Sequence, residues 1–223
     1  MDLDIRRRIE LEEFDYQTLS SLLSGYSNPR MKINALLKKA EIIRVKKGIY
    51  VFGEKYSNRP YSKELLANWI YGPSIVSMDY MLSWYGLIPE TVTVLTSTTV
   101  KRPKTFATPV GDFIYRQVPY SYSLLGMCKI ESQAGGFLAG TPERALADKI
   151  RDTRGNTLRN QLETEQYLFE DLRLDEEVFL TMDPDLLTRL SVAGRSRKIA
   201  FCASLLKKML RSSRVASGPQ NQN

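Results

Sequence analysis

Residues 27–52 read Ser27-Asn28-Pro29-Arg30-Met31-Lys32-Ile33-Asn34-Ala35-Leu36-Leu37-Lys38-Lys39-Ala40-Glu41-Ile42-Ile43-Arg44-Val45-Lys46-Lys47-Gly48-Ile49-Tyr50-Val51-Phe52, and this stretch decides the fold. Its first half has the marks of a helix. Ser27 is a capping residue type, and Pro29 fits a first turn, where its missing N–H is no loss. Ile33, Leu36, Leu37 and Ala40 recur at i, i+3, i+4 and i+7, which makes one apolar stripe about 100° wide. The opposite face carries Asn28, Met31, Lys32, Ala35, Lys38 and Lys39, with Arg30 and Asn34 on one flank. The second half is two β-rich runs, 42–45 and 49–52, about the turn Lys46-Lys47-Gly48, which predicts a hairpin.

Upstream, residues 2–13 are polar helix formers with sparse apolar positions. Asp15 can cap a second helix that aligns Leu19, Leu22 and Leu23 on one face, and Gly25-Tyr26 breaks it. Helix, helix, turn, basic helix and basic-tipped hairpin is the order of a winged helix-turn-helix, whose third helix enters the major groove. Residues 27–60 hold nine basic and two acidic groups, so the chain's positive charge is concentrated there. Lys46 and Lys47 fall at the expected wing tip, where lysine suits phosphate. Asparagine and arginine have bidentate options on adenine and guanine. The candidate DNA-contacting set is therefore Asn28, Arg30, Lys32, Asn34, Lys38, Lys39, Arg44, Lys46 and Lys47. A cationic helix face is also what a solvated surface looks like, and winged helices also dock proteins.

The whole chain has 223 residues, 43% hydrophobic and 26% charged, which is a globular composition. Lysine plus arginine is 32 against 25 acidic residues, a balance that permits nucleic acid or an acidic partner. Histidine is absent, which excludes Ser-His-Asp and Cys-His mechanisms and His-ligated metals. Cys128 and Cys202 permit one disulfide and fit a reducing compartment equally well, and they read as small core residues rather than redox centres. Charge rather than an apolar run follows Met1, and no stretch reaches the roughly 18 to 20 apolar residues of a membrane span, so a cytoplasmic protein without a signal peptide is expected.

Residues 53–62 are polar and turn-rich and predict a linker between a winged helix at 1–52 and a second domain at 63–215, with a flexible tail at 216–223. Ser62 starts a helix through Leu65, Leu66, Trp69 and Ile70; Ser77 starts another that ends at Gly86. Residues 91–100 are strand-like, 104–118 predict a hairpin, and 135–140 a glycine-rich loop. Thr141 caps a helix with Pro142 at its first position, and 157–171 and 197–213 have helical period. Residues 163–185 hold nine acidic groups and one arginine, and 189–214 hold eight basic groups and no acidic ones. The predicted class is α+β: a winged helix-turn-helix followed by a mixed helical domain with a small antiparallel sheet.

Five segments together resemble the AbiEi family of antitoxins from bacterial type IV toxin–antitoxin systems. They are the basic helix and wing ending Lys47-Gly48-Ile49-Tyr50-Val51; Ser77 to Trp84 running into Tyr85-Gly86-Leu87-Ile88-Pro89-Glu90; Lys104 to Phe113; Tyr115-Arg116-Gln117-Val118; and Ala139-Gly140-Thr141-Pro142-Glu143-Arg144-Ala145-Leu146-Ala147-Asp148. The resemblance covers residues 15–150 and rests on the ordered set, each segment alone being weak. It implies a winged helix that represses its own operon at an operator, and a C-terminal domain that counteracts a nucleotidyltransferase-like toxin, by contact or only functionally; inverted repeats are expected because helix-turn-helix readers use paired half-sites. Its implied DNA contacts are Arg30, Lys32, Asn34, Lys38, Lys46 and Lys47. The acidic and basic blocks after residue 160 match no segment of that pattern.

Two other classes compete. One is a winged-helix regulator whose second domain senses a small ligand. The other is a DNA-processing enzyme, for which Asp112, Glu143 and Asp148 are the available carboxylates. The chain has no phosphate-loop or dinucleotide fingerprint and no Glu-x-Lys or Gln-x-Lys tripeptide. No catalytic residue, metal or cofactor is therefore expected.

Overall fold

The structure is a computed structural model and describes residues 3–155 and 158–216. The predicted tail lies outside the described residues from 217 onward. The fold is mixed α+β. Its N-terminal unit runs α1 (Leu3–Arg8), β1 (Glu13–Asp15), α2 (Tyr16–Leu22), α3 (Pro29–Lys38), β2 (Ile42–Lys46) and β3 (Ile49–Phe52). The strands form an antiparallel sheet in the order β1-β3-β2. This order and pairing are compatible with the winged helix-turn-helix arrangement.

Local chemistry explains these boundaries. Asp15 caps α2, its carboxylate accepting from Thr18 N–H at 2.7 Å. The cap of α3 is Asn28 rather than Ser27, with its side-chain oxygen 3.1 Å from Met31 N–H. Ala40 also departs from expectation. It lies beyond α3 with φ 51°, so the buried stripe of the helix is Ile33 and Leu36, with Leu37 half-buried beside it.

The hairpin β2–β3 is buried on both faces. Along β3, Tyr50 and Phe52 join Phe14, Leu19, Leu23, Ile33, Leu36 and Ile42 in a core under the helices. The intervening Ile49 and Val51, with Val45 of β2, belong to the much larger core of the rest of the chain, and Ile43 packs against it. Successive strand side chains point to opposite faces, and here each face has its own core. The boundary expected at 52/53 therefore does not separate two cores.

The segment read as a linker is also fastened. Glu12 accepts from Asn58 N–H and pairs with Arg6 at 2.5 Å, while Arg6 donates to the Tyr56 carbonyl at 3.0 Å. Glu13 accepts from Ser62 N–H. Both glutamates are 1% exposed. Gly53 N–H donates to the Glu41 carbonyl, and a β-carbon on Gly53 would lie 1.9 Å from the Ala40 oxygen, so only glycine lets the end of β3 pass the end of α3.

The chain continues with α4 (Lys63–Ile70), β4 (Ser74–Val76), α5 (Met78–Trp84), β5 (Leu95–Thr99), β6 (Lys104–Thr108), β7 (Gly111–Gln117), β8 (Met127–Ile130), β9 (Phe137–Gly140) and α6 (Pro142–Asp152). Then come α7 (Gln161–Gln166), a π-helical turn Tyr167–Asp171, α8 (Glu176–Leu180), α9 (Pro184–Ala193) and α10 (Arg197–Ala216). The expected small antiparallel sheet is instead a six-stranded mixed one, ordered β6-β7-β5-β4-β9-β8. β5 pairs parallel with β7 and β4 parallel with β9. The glycine-rich 135–140 stretch ends in strand β9 rather than remaining a loop. Tyr115 sends its hydroxyl to the Ala67 carbonyl of α4, while Ile114 and Arg116 line the opposite face with α5 and α6, so helices cover both sides. Cys128 and Cys202 are free thiols, and complete burial pushes the Cys202 thiol up to about 12.

A buried ion pair ties this unit together. Arg144, wholly buried, meets Asp148 one turn later at 2.8 Å. Its Nη1 donates to the carbonyls of Tyr122, Ser123 and Leu125, and its Nη2 to Thr98 Oγ1 at 3.2 Å. Ser77 donates to Asp148 at 2.6 Å. Gly126 makes room for the arginine: its φ is 65°, and a β-carbon there would sit 2.8 Å from that of Arg144.

Two outcomes are expected. Replacing Arg144 with Ala leaves Asp148 charged, buried and without its cation, and should lower unfolding free energy by about 3–5 kcal/mol in a urea titration. For Glu13, burial, opposed by the Ser62 N–H, raises the carboxyl above its ordinary 4.5. A raised folded-state value means a stability contribution present below 4.5 and lost as pH rises through the folded value. Subtracting Glu13→Gln from wild type across a pH series should isolate that fall; a flat difference would reject it.

Candidate nucleic-acid interface

An open cleft of about 820 Å³ separates α3 from the hairpin. It is lined by Tyr16, Arg30, Ile33, Asn34, Arg44, Lys47, Gly48 and Tyr50. Arg30 and Asn34 sit four residues apart on α3 and so share a face. Arg44 comes from β2, with its guanidinium 5.9 Å from the Tyr50 ring centre. Lys47 lies in the hairpin turn. Three cations and one amide thus meet around an aromatic and aliphatic floor, and among the described residues no carboxylate lines the cleft. Tyr16 N–H donates to the Gly48 carbonyl at 2.9 Å, which holds the start of α2 against the turn.

The other expected residues fall elsewhere. Asn28 is exposed, but its side-chain oxygen is occupied by the helix cap. Lys32 is half-buried, its amine 4.8 Å from the Tyr26 ring centre. Lys38 and Lys39 are exposed at the C-terminal end of α3, where their charge complements the helix dipole and lies off the cleft.

Lys46 is turned away from its expected outward position. The register shifts between Arg44 and Lys46, so that Arg44 pairs with Tyr50 and Lys46 with Ile49. This bulge rotates Lys46 onto the face of Ile49, toward the larger core. Its amine donates to the Ile70 carbonyl at 2.5 Å and stands 4.8 Å from the Phe106 ring centre. Burial first, then repulsion from Lys104 and Lys101, lowers its pKa. Only Lys47 of the two wing lysines lines the cleft.

Tyr16, Ile33, Gly48 and Tyr50 also line the cleft and were not in the candidate set; of these Tyr16 is the exposed side chain. Its one signal is that it directly follows the cap Asp15. Asp112, Glu143 and Asp148 do not converge. Asp112 is exposed on β7, Glu143 accepts from Asp183 N–H at 3.0 Å, and Asp148 is held by Arg144. A second cleft, of about 440 Å³, lies between β5, β7, α5 and α6. Its charges are paired with each other, Lys149 with Asp79 at 2.7 Å and Arg116 with Asp152 at 3.4 Å.

Two of the segments quoted for the family resemblance, 77–90 and 139–148, meet inside the second unit. Ser77 hydrogen-bonds Asp148, and the Tyr85 hydroxyl donates to the Gly140 carbonyl at 2.9 Å. Ser77 and Asp148 are buried there, and Tyr85 is half-buried.

If Asn28 serves as a cap, Asn28→Ala should lower stability by about 1 kcal/mol, and Asn28→Ser should restore most of it, as read by thermal unfolding. Searches against family models and curated proteins each found no match to this chain.

Proposed function

We propose that this chain binds double-stranded DNA through α3 and the wing, represses its own operon from an operator, and serves as the antitoxin to a nucleotidyltransferase-like partner. The cleft that gathers Arg30, Asn34, Arg44 and Lys47 without a carboxylate carries the DNA-binding half. Arginine and asparagine at the N-terminal half of a groove-facing helix can read base edges, and Lys47 can hold phosphate. Met31, 69% exposed, and exposed Ala35 on the same helix suit apolar contact with thymine methyl groups. The antitoxin half is supported by the ordered resemblance. A second reading, a regulator that senses a small ligand, draws on the cleft beside Asp79 and Lys149. The internal pairing of its charges favours the first.

The test is fluorescence anisotropy with the DNA immediately upstream of the gene and a shuffled duplex of equal length. Selective upstream binding is expected, with about three to five phosphates neutralised and a log–log salt slope near −3 to −5. Lys47→Ala should weaken both probes alike and flatten the slope by about 1. Asn34→Ala should instead relax choice at one base pair, by about 1–3 kcal/mol. Equal, weak binding to both probes would reject the repressor reading. Co-expression with the neighbouring toxin gene tests the antitoxin half: growth should be rescued by the full chain.

A further inference from the structure

The six-stranded sheet ends on one side in β6 and on the other in β8. An end strand presents backbone groups that can pair with another chain, and proteins guard such edges with like charges. β6 begins with exposed Lys104 and holds no acidic residue, so that edge is guarded. β8 reads Met127-Cys128-Lys129-Ile130 and runs into Glu131. Lys129 and Glu131 pair with each other at 2.5 Å, and their side chains remain 63% and 70% exposed.

The ladder fixes which backbone groups of β8 are open. Leu138 of β9, opposite Lys129, gives its N–H to Asn68 Oδ1 at 2.7 Å, and its carbonyl accepts from Asn68 Nδ2 at 3.1 Å. Both backbone groups of Leu138 therefore face away from β8. In an antiparallel ladder, opposed residues alternate between exchanging both bonds and exchanging none. Cys128 and Ile130 thus bond β9, while Lys129 directs its N–H and C=O out of the sheet. The alternation continued by one step gives Glu131 the same outward direction. Among the described residues, no backbone bond of a turn or loop engages Lys129 or Glu131. Apolar surface flanks the edge: exposed Met127, Leu138, Leu124 and Tyr120 border a groove of about 230 Å³.

The occupant that suits this edge is a second copy of the chain. A two-fold axis through Ile130 sets Lys129 opposite the second copy's Glu131, and Glu131 opposite its Lys129. These outward-facing residues form the hydrogen-bonded pairs, and Ile130 meets Ile130 in the closer, non-bonded pair between them. An axis through Lys129 would set lysine on lysine, and one through Glu131 would set glutamate on glutamate. An axis through Cys128 would set Lys129 against Met127. The Ile130 register alone matches opposite charges across the strands. It joins the two internal ion pairs into a ring of four charges of alternating sign. A foreign edge guarded by lysine is refused, so the side chains that protect this edge also select its own kind.

We propose that β8 is a self-docking edge, at which two copies of this chain pair antiparallel about Ile130 to make one continuous sheet. The contact spans a few residues of each strand and the Met127 flank, below about 1,200 Å², which is the range of transient complexes. Association is therefore weak and concentration-dependent. This inference is independent of the DNA-binding reading above.

Sedimentation velocity of the full chain, without DNA, from about 5 to 500 µM reads the association; the weight-average coefficient should climb from monomer toward dimer. Amide hydrogen exchange at Lys129 should slow over the same range. Lys129→Glu alone puts four carboxylates in the ring and Glu131→Lys alone four ammonium groups, so each should weaken association at least about 10-fold. Both side chains are exposed, so neither change disturbs the interior. An equimolar mixture of the two variants restores opposite charges at every pair and should associate as wild type does. The doubly reversed chain, Lys129→Glu/Glu131→Lys, should regain self-association. Wild type that stays monomeric at every concentration, with fast exchange at Lys129, overturns the proposal and leaves the edge open to a different chain. Association that ignores the single reversals, or a mixture that fails to associate, also overturns it and places the contact elsewhere.

Discussion

The hairpin β2–β3 is the constraint on which the rest depends. A strand offers two faces, and in a protein with one core per unit one of them meets water. Here Tyr50 and Phe52 face the helices while Ile49 and Val51 face the large sheet. The position of α3 relative to the second unit is thereby set by side-chain packing rather than by a tether. The glutamates that fasten residues 56–62, together with the close pass at Gly53, complete the joint. The bulge after Arg44 belongs to the same constraint. It assigns Arg44 to the cleft and Lys46 to the face of the larger core.

Buried charge recurs wherever the chain must be held in one arrangement. Arg6 and Glu12 pin the segment after the wing, and Arg144 with Asp148 gathers three carbonyls of the 122–125 turn and two hydroxyls from β5 and the start of α5. Pairs of this kind add little net stability over an apolar replacement, yet breaking one is expensive. They therefore act as alignment devices. Ser77, Thr98, the 122–125 turn and Asp148, far apart in sequence, meet at the Arg144 site: a side chain that must satisfy five partners restricts its neighbours more than an apolar contact does.

Local signals were legible. Asp15, Ser62 and Thr141 cap the helices expected of them, and the runs 42–45, 49–52 and 104–117 form their hairpins. The choice between Ser27 and Asn28 as cap was not decidable from residue type, since both are good caps. Strands β4 and β8 are three and four residues long, too short for their alternation to stand out, and β9 carries glycine and alanine, which have low strand preference. The direction of Lys46 depends on one extra residue in the ladder, which reverses every later side chain. The buried roles of Glu12 and Glu13 depend on partners about 46 and 49 positions away, beyond any local pattern. Of the candidate interface, sequence placed Arg30, Asn34, Arg44 and Lys47 together and missed Tyr16, Ile33, Gly48 and Tyr50 as its floor and walls.

The two-faced wing also bears on how such a chain can be recombined. Proteins assembled from independent parts exchange them at linkers, as one might recouple carriages. A helix unit cut from this chain after Phe52 would carry Ile43, Val45, Ile49 and Val51 bare on its surface, and the remainder would lose the cover of its own sheet. A chimaera that borrowed a foreign N-terminal unit would inherit a hairpin shaped for a different neighbour. Change in what α3 can contact is therefore channelled into point substitutions on its exposed face, with the scaffold and that face descending together.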